Sequence, residues 1–292
     1  TLTSLTFHAN AQERSIFEMS LEELMELKVV IAATGFEQKA SNAPASVTVI
    51  TAQEWRSRGA RMLDDVLAMI PGVHVGKPQT DYNHNDFVIR GLSGAGSSRI
   101  KFLVDGEPIE LIQNGGVPVG FQFPLSLFKR VEVIKGPGSA VYGADAFAGI
   151  VNLVSYNVGE QPAELGVRLG SFDALDTYLS KDFLIGNAKL QLSLNYSHEG
   201  TDNNRIIDSD LQTTFDSIFD TNASLAPGVM DEHYEVFSLL TKLNWHDIDA
   251  SYFTWRNFDM GTGVGVAQAL DPEGTTAMYM EEFKVKYNLS SY

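Results

Sequence analysis

Leu127 to Ser155 reads LFKRVEVIKGPGSAVYGADAFAGIVNLVS, and the fold of the chain follows from how this stretch is parsed. Arg130 to Lys135 alternates charged and branched side chains with period two, as does much of Gly149 to Ser155, so each reads as a strand. Between them Gly136-Pro137-Gly138 is a tight turn. Glycine supplies a positive φ, proline fixes its own, and neither suits a strand interior. The small residues from Ser139 to Gly149 let the chain fold back closely before the second strand. Gly-rich turns after strands also bind phosphates, but Gly136, Gly138 and Gly143 do not form G-x-G-x-x-G. No Gly-Lys-Ser/Thr follows and no partner acid stands at the right distance, so a nucleotide site is set aside.

Upstream, Ser20-Leu21-Glu22-Glu23 is a capping box that opens a short helix to Leu27. Lys28 to Thr34 then reads as an extended arm or the edge strand of the first sheet. Ser46 to Thr51 alternates as a strand, and Thr51 with Glu54 forms a second capping box opening a helix through Arg58. Leu63, Val66, Leu67 and Ile70 fall at helical spacing, a core-facing stripe that Pro71-Gly72 ends. Val73 to Val75, Phe87 to Arg90 and Ile100 to Val104 are short strands. Asp105-Gly106 is a hairpin signal, which makes Asp105 a turn residue rather than a catalytic acid. Arg90 and Glu132 are charges within strand segments, where desolvation favours pairing.

The segment VEVIKGPGSAVYGADAFAGIVNLV resembles the signature that closes the plug domain of TonB-dependent outer-membrane receptors. APASVTVITAQEW, LDDVLAMIPGVHV, FVIRGL and IKFLVDGEPI resemble the earlier plug blocks, in order, so the likeness covers Ala43 to Ser155. It implies an α+β plug domain over 43–156, with Gly136, Pro137, Gly138 and Gly143 as its signature turn, followed by antiparallel transmembrane β-barrel strands over 157–292. Residues 20–42 would hold the N-terminal helix and a TonB-box-like segment, Val29, Val30, Ile31, Ala32 and Ala33. Such a box adds as a strand to TonB, the periplasmic energy transducer anchored in the inner membrane. Residues 1–19 would be a signal-peptide remnant and N-terminal extension, since Ala9-Asn10-Ala11 has the A-x-A form of a cleavage site. By the same resemblance Arg90 and Glu132 pair with each other and with acids of the inner barrel wall. Gln79, Asp81, Tyr82, Asn83, Gln113 and Asn114 would lie in apical plug loops that touch substrate from below.

Composition narrows the classes. The 292 residues, 44% hydrophobic and 20% charged, are enough for one or two domains. Mean hydropathy is -0.07, and no run of eighteen apolar residues exists, which excludes a transmembrane helix but not barrel strands, whose alternation averages out. A formal net charge of -16 argues against a nucleic-acid partner. Without cysteine there is neither a disulfide framework nor a thiolate metal site. The six histidines show no H-E-x-x-H, and Asp202, Asp208, Asp210, Asp216 and Asp220 follow no EF-hand pattern, so they read as a solvated acidic loop. No cofactor and no metal is expected.

Beyond Ser155 longer alternating segments begin. Leu165, Val167 and Leu169 face away from Gly166, Arg168 and Gly170. Leu190, Leu192, Leu194 and Tyr196 alternate with Gln191, Ser193 and Asn195, and Phe283, Val285, Tyr287 and Leu289 with Lys284, Lys286 and Asn288. That is apolar toward lipid and polar toward a lumen. Six strands are predicted, near 163–171, 174–184, 188–198, 233–246, 248–257 and 277–290. Links are short near Phe172, Gly186 and Asp247 and long over 199–232 and 258–276, the asymmetry of an outer-membrane barrel. Six strands do not close around a plug of this size, so the chain reads as a fragment of a barrel of about 22 strands.

The resulting expectation is a TonB-dependent receptor of the bacterial outer membrane, surrounded by outer-membrane lipid. It would import a small molecule or metal chelate past a plug released by TonB. Ferric siderophores are the commonest substrates of the family resembled, with cobalamin, haem and oligosaccharides as alternatives. An enzyme would need a nucleophile with a base, a carboxylate pair or a metal cluster, and none is present. A non-transporting signalling or adhesion barrel is the remaining alternative.

Overall fold

The computed structural model describes residues 3–8, 29–30, 38–39, 46–76, 86–92, 97–109, 116–117, 122–136, 138, 142–143, 146–265 and 268–289. Three strands come first, β1 (Thr3–His8), β2 (Val29–Val30) and β3 (Gln38–Lys39). The first domain then runs β4 (Ser46–Thr51), α1 (Ala52–Ser57), α2 (Leu63–Ala68), β5 (Val73–Gly76), β6 (Asp86–Ile89), β7 (Ile100–Val104), β8 (Glu107–Pro108), β9 (Phe128–Lys135) and β10 (Gly149–Ser155). Five of these strands form one mixed sheet in the order β4-β9-β10-β7-β8, while β5 and β6 pair separately.

The deciding stretch folds as its alternation predicts. β10 lies mid-sheet, antiparallel to β9 and parallel to β7, and all seven of its residues are buried. Burial on both faces explains its branched, nearly continuous apolar run. At the turn, Gly136 has φ +140° and donates its N–H to Ala148 O at 3.1 Å; the Gly138 N–H reaches Ala146 O at 2.8 Å. Gly149 is required for space, because a Cβ there would sit 2.4 Å from the carbonyl oxygen of Ile134 and 2.6 Å from Ile89 Cδ1. Gly149→Ala is therefore expected to destabilise this domain by about 1–3 kcal/mol through overpacking, read as a lower denaturant midpoint.

The two helices pack on that sheet. Thr51 Oγ1 accepts from the Glu54 N–H at 3.3 Å while Glu54 Oε2 accepts from the Thr51 N–H at 2.7 Å, closing the capping box. The α1 helix ends at Ser57, with Arg58 as its C-cap. Leu63, Val66, Leu67 and Ile70 are all buried in the core. Asp105 and Gly106 take φ of +49° and +87°, the two left-handed positions of a tight hairpin between β7 and β8. The strand predicted to reach Arg90 stops at Ile89. Arg90 turns to φ +51° and donates its N–H to Gly72 O at 2.8 Å.

One early segment differs from the edge-strand reading in its partner. Val29 and Val30 pair with Lys39 and Gln38 as a separate two-stranded piece, not as an edge of the five-stranded sheet. The helix expected over 20–27 lies outside the described residues.

The second sheet contains all six predicted long strands: β11 (Glu164–Leu169), β12 (Leu175–Ile185), β13 (Ala188–Glu199), then, after β14 (Ile206–Ile207), α3 (Leu211–Phe219) and β15 (Gly228–Val229), β16 (Tyr234–Trp245), β17 (Ile248–Gly261) and β18 (Thr275–Tyr287). The long strands are consecutive antiparallel neighbours, and β1 lies antiparallel along β11, from Thr3↔Leu169 to His8↔Glu164. The five long strands β12, β13, β16, β17 and β18, of 11 to 14 residues, are long enough to cross a hydrocarbon core at a barrel's tilt.

The faces of this sheet are inverted relative to a water-soluble one. Leu165, Val167 and Leu169 are 53%, 40% and 59% exposed, whereas Gln191, Ser193, Asn195 and Ser197 are buried. On β11 and β13 apolar groups point outward, while β13 turns its polar row inward. Among the described residues no helix is long and apolar enough to cross a membrane.

Candidate functional site at the seam between plug and wall

The inner face of the second sheet meets the first domain, and the groups joining them come from residues far apart in sequence. Lys242, on the inward side of β16, reaches Asp105 Oδ2 at 3.0 Å, the carbonyl of Tyr156 at 3.1 Å and the Ser155 hydroxyl. Asp105 is itself fixed by Ser155, whose N–H donates to Oδ1 at 2.8 Å and whose hydroxyl donates to Oδ2 at 2.5 Å. Burial would raise the Asp105 pKa, but Lys242 and the Ser155 donors outweigh it and hold the carboxyl below its usual range. Asp105 is thus the turn residue expected, and it is also the acid that receives the wall's lysine.

Three further ion pairs cross the seam. Arg56 of α1 meets Glu164 of β11 at 2.8 Å, and Arg61 meets Glu199 of β13 at 3.7 Å. Lys284 of β18 stands 3.9 Å from Glu107. Glu199 also accepts from the Tyr234 hydroxyl at 3.1 Å. Basic groups on α1 and on the loop after it answer acids on the wall, while acids of the β7–β8 hairpin answer lysines on it.

The seam has an apolar centre that the alternation of polar lumen residues did not announce. Tyr234, Val236, Leu240, Phe253, Trp255 and Met260 face inward and belong to the same core as the first domain. Phe123 sits among Phe128, Phe253 and Trp255, with ring centroids 5.7, 5.9 and 6.4 Å away. Trp255 Nε1–H donates to the carbonyl of Gln122 at 3.0 Å. A patch of lumen wall is apolar because this domain fills it.

Of the residues singled out from sequence, Glu132 is fully buried. It accepts from Arg130 Nε at 2.8 Å and from Asn152 Nδ2 at 3.4 Å. Arg90 is exposed, with its guanidinium 3.7 Å from where a Cβ of Gly136 would be. Gly136, Gly138 and Gly143 are placed around the signature turn, and Pro137 lies outside the described residues. So do Ile31, Ala32 and Ala33, and the apical candidates Gln79, Asp81, Tyr82, Asn83, Gln113 and Asn114.

At the opposite end from the short turns, two long loops meet. The segment read as a solvated acidic loop is folded around its aspartates. Asp210 caps α3 by accepting from the Thr213 N–H at 2.7 Å and ties the second loop by accepting from the Leu270 N–H at 2.7 Å. Burial would raise its pKa, yet these amides and the Ser224 hydroxyl bring it to about 2. Asp216 accepts from Thr221, Ala223 and Ser224, folding the chain back beyond α3. The spacing of Leu211, Phe215, Ile218 and Phe219 after a capping Asp210 was the overlooked sign of this helix.

His233 stands at the same rim. Its Nδ1 lies 2.8 Å from Asp231 Oδ1 and its Nε2 3.3 Å from Asp259 Oδ1, so both ring nitrogens face carboxylates. Asp231 also accepts from the Thr201 hydroxyl, and its carbonyl accepts from the Gly263 N–H at 2.8 Å, joining both loops. Burial would lower the His233 pKa, but the two acids raise it. A raised histidine stabilises fully below its unfolded value of about 6.5 and loses that contribution as pH rises through the native value. Protease nicking within 200–233 is therefore expected to accelerate as pH climbs from about 6 to about 9. His233→Gln should nick at a rate that hardly varies over that window.

Comparison with known proteins follows the same division. The family profile described as TonB-dependent Receptor Plug Domain matches residues 39–150. The vitamin B12 transporter BtuB of Vibrio vulnificus (strain CMCP6) is 40% identical over 128 residues, which are 44% of this chain and 20% of that protein. The ferripyoverdine receptor of the Pseudomonas aeruginosa outer membrane superposes over 88% of this chain and 33% of its own, with a TM-score of 0.60 at 18% identity. The ferric yersiniabactin uptake receptor FyuA of Yersinia pestis covers 75% of this chain and 32% of its own, with a TM-score of 0.54 at 19% identity. At such identities the two solved structures show a shared fold. The chain spans a fifth of the curated relative's length and about a third of the solved receptors'.

Proposed function

We propose, for a chain whose residues 39–150 match the plug domain of TonB-dependent receptors, the function of a gated importer of the bacterial outer membrane rather than an enzyme. The observation that carries this reading is the inverted second sheet. Its outward rows on β11 and β13 are apolar, as lipid requires, and its inner face, polar along β13 and apolar along β16 and β17, is covered by a folded plug. Substrate would meet the long outer loops and the apical plug residues Gln79, Asp81, Tyr82, Asn83, Gln113 and Asn114. Val29 to Ala33 would dock TonB by strand addition, and pulling there would loosen the plug. Arg90 and Glu132 are proposed to help hold the plug until then, beside the four ion pairs of the seam.

The substrate proposed is a ferric siderophore. Cobalamin is the second reading, favoured by the 40% identity to a vitamin B12 transporter. Uptake of radiolabelled iron chelates and of labelled cobalamin into cells with and without TonB separates these two. Ile31→Pro should abolish uptake while leaving surface binding intact, because proline removes a backbone donor from the added strand. Equal uptake without TonB would overturn the proposal.

A further inference from the structure

The helix α3 stands on the longer outer loop with none of its residues buried. Leu211, Phe215, Ile218 and Phe219 recur at i, i+4, i+7 and i+8, so they share one face, and they are between 37% and 69% exposed. The Phe215 and Phe219 rings lie 6.3 Å apart, and Ile206 and Leu225 are exposed as well. An apolar face held open on a loop that Asp210 and Asp216 keep folded marks a contact surface.

The charge around this face identifies what it contacts. Residues 200–233 hold Asp202, Asp208, Asp210, Asp216, Asp220, Asp231 and Glu232 against a single arginine, Arg205, which is already paired with Glu232. The facing loop over 262–274 adds Asp271 and Glu273 and no lysine or arginine. Asp220 is the C-cap of α3 and Asp208 lies two residues before its N-cap Asp210, and both are exposed. A lipid surface does not fit, because helices lying on anionic headgroups carry lysine and arginine on their polar face. An anionic ligand would be repelled.

We infer that α3 is the docking face for the imported substrate and that this substrate is a cation carrying an aromatic or aliphatic surface. The inference rests on the importer reading and adds a chemical class to it. The apolar body lies on Phe215, Ile218 and Phe219 with the positive charge toward Asp220 at that end of the helix, and Asp208 adds to the negative field from the other end. Asp210 and Asp216 hold the helix in place and do not contact the ligand.

The test uses the native-length protein in nanodiscs with three probes: rhodamine 6G, an aromatic cation; fluorescein, an aromatic anion; and spermidine, a cation without aromatic surface. Rhodamine 6G should bind saturably over empty nanodiscs, and fluorescein should not. The double variant Phe215→Ser/Phe219→Ser should weaken rhodamine binding roughly tenfold, and Asp208→Asn/Asp220→Asn several-fold with a loss of salt dependence. Equal binding of fluorescein, unchanged binding in both variants, or competition by spermidine as strong as by unlabelled rhodamine 6G would overturn the inference. Heat-modifiable migration on a gel reports barrel folding separately. A folded barrel without cation preference sinks this inference alone, whereas an unmutated chain that never shows such migration sinks the importer reading as well.

Discussion

Trp255→Ala is expected to loosen the plug by about 3–5 kcal/mol, the range for truncating a fully buried tryptophan. The side chain has no exposed surface, stacks on Phe123 and donates its indole N–H to the carbonyl of Gln122. Truncation leaves a cavity against Phe123 and removes a donor from a partly buried carbonyl. None of the backbone pairing of β17 with β16 and β18 depends on the indole, so the loss falls on the contact between wall and plug. The variant barrel should keep its heat-modifiable migration while the plug unfolds at lower denaturant and is cut sooner between Gln122 and Phe128. Trp255→Phe should recover much of the stacking without the donor, placing it between the two. An unchanged plug midpoint in Trp255→Ala would show that this aromatic contact does not hold the plug.

Lys242→Met is expected to cost about 1–3 kcal/mol, the range for leaving a buried acceptor without its donor. Lys242 and Asp105 are 19% and 24% exposed, so solvent reduces the penalty below that of a fully buried broken pair. The substitution removes the donor to Asp105, Ser155 and the Tyr156 carbonyl together. It also changes the acid limb. Asp105 has a depressed native pKa, so its contribution is present above the ordinary carboxylate range and is lost as pH falls through the native value. Without Lys242 that value rises, and acid release of the plug should begin at higher pH. In a double-mutant cycle with Asp105→Asn, the combined loss should be smaller than the sum of the two. Strict additivity would mean that the pair does not act as a unit. Cells carrying either variant should also admit large hydrophilic antibiotics that the sealed barrel excludes.

The six long strands, the central strands of the first domain, its two helices, the Asp105-Gly106 hairpin and the turn at Gly136 and Gly138 were legible in the residues themselves, whereas β1 over Thr3–His8 fell in a segment read as a signal-peptide remnant. Period-two alternation, capping boxes and glycine spacing are local properties, and local sterics and hydrogen bonding enforce them over a few residues. The outward apolar rows of β11 and β13 were legible for the same reason. The helix α3 was written in the spacing after Asp210 but is masked by the acidic residues around it, whose carboxylates fold the loop instead of merely solvating it. What Trp255, Lys242 and Glu199 do depended on the tertiary structure. Each lies on a strand whose alternation says only which of two faces it shares, and whether that face meets lipid, water or the plug is decided by register and by the docking of a separate domain. Nothing in the sequence around Arg56 and Arg61 names their partners; β11 and β13 bring Glu164 and Glu199 beside them. Alternation determined the barrel strands, and packing alone determined the seam, because its partners are set by contacts between segments distant in the chain.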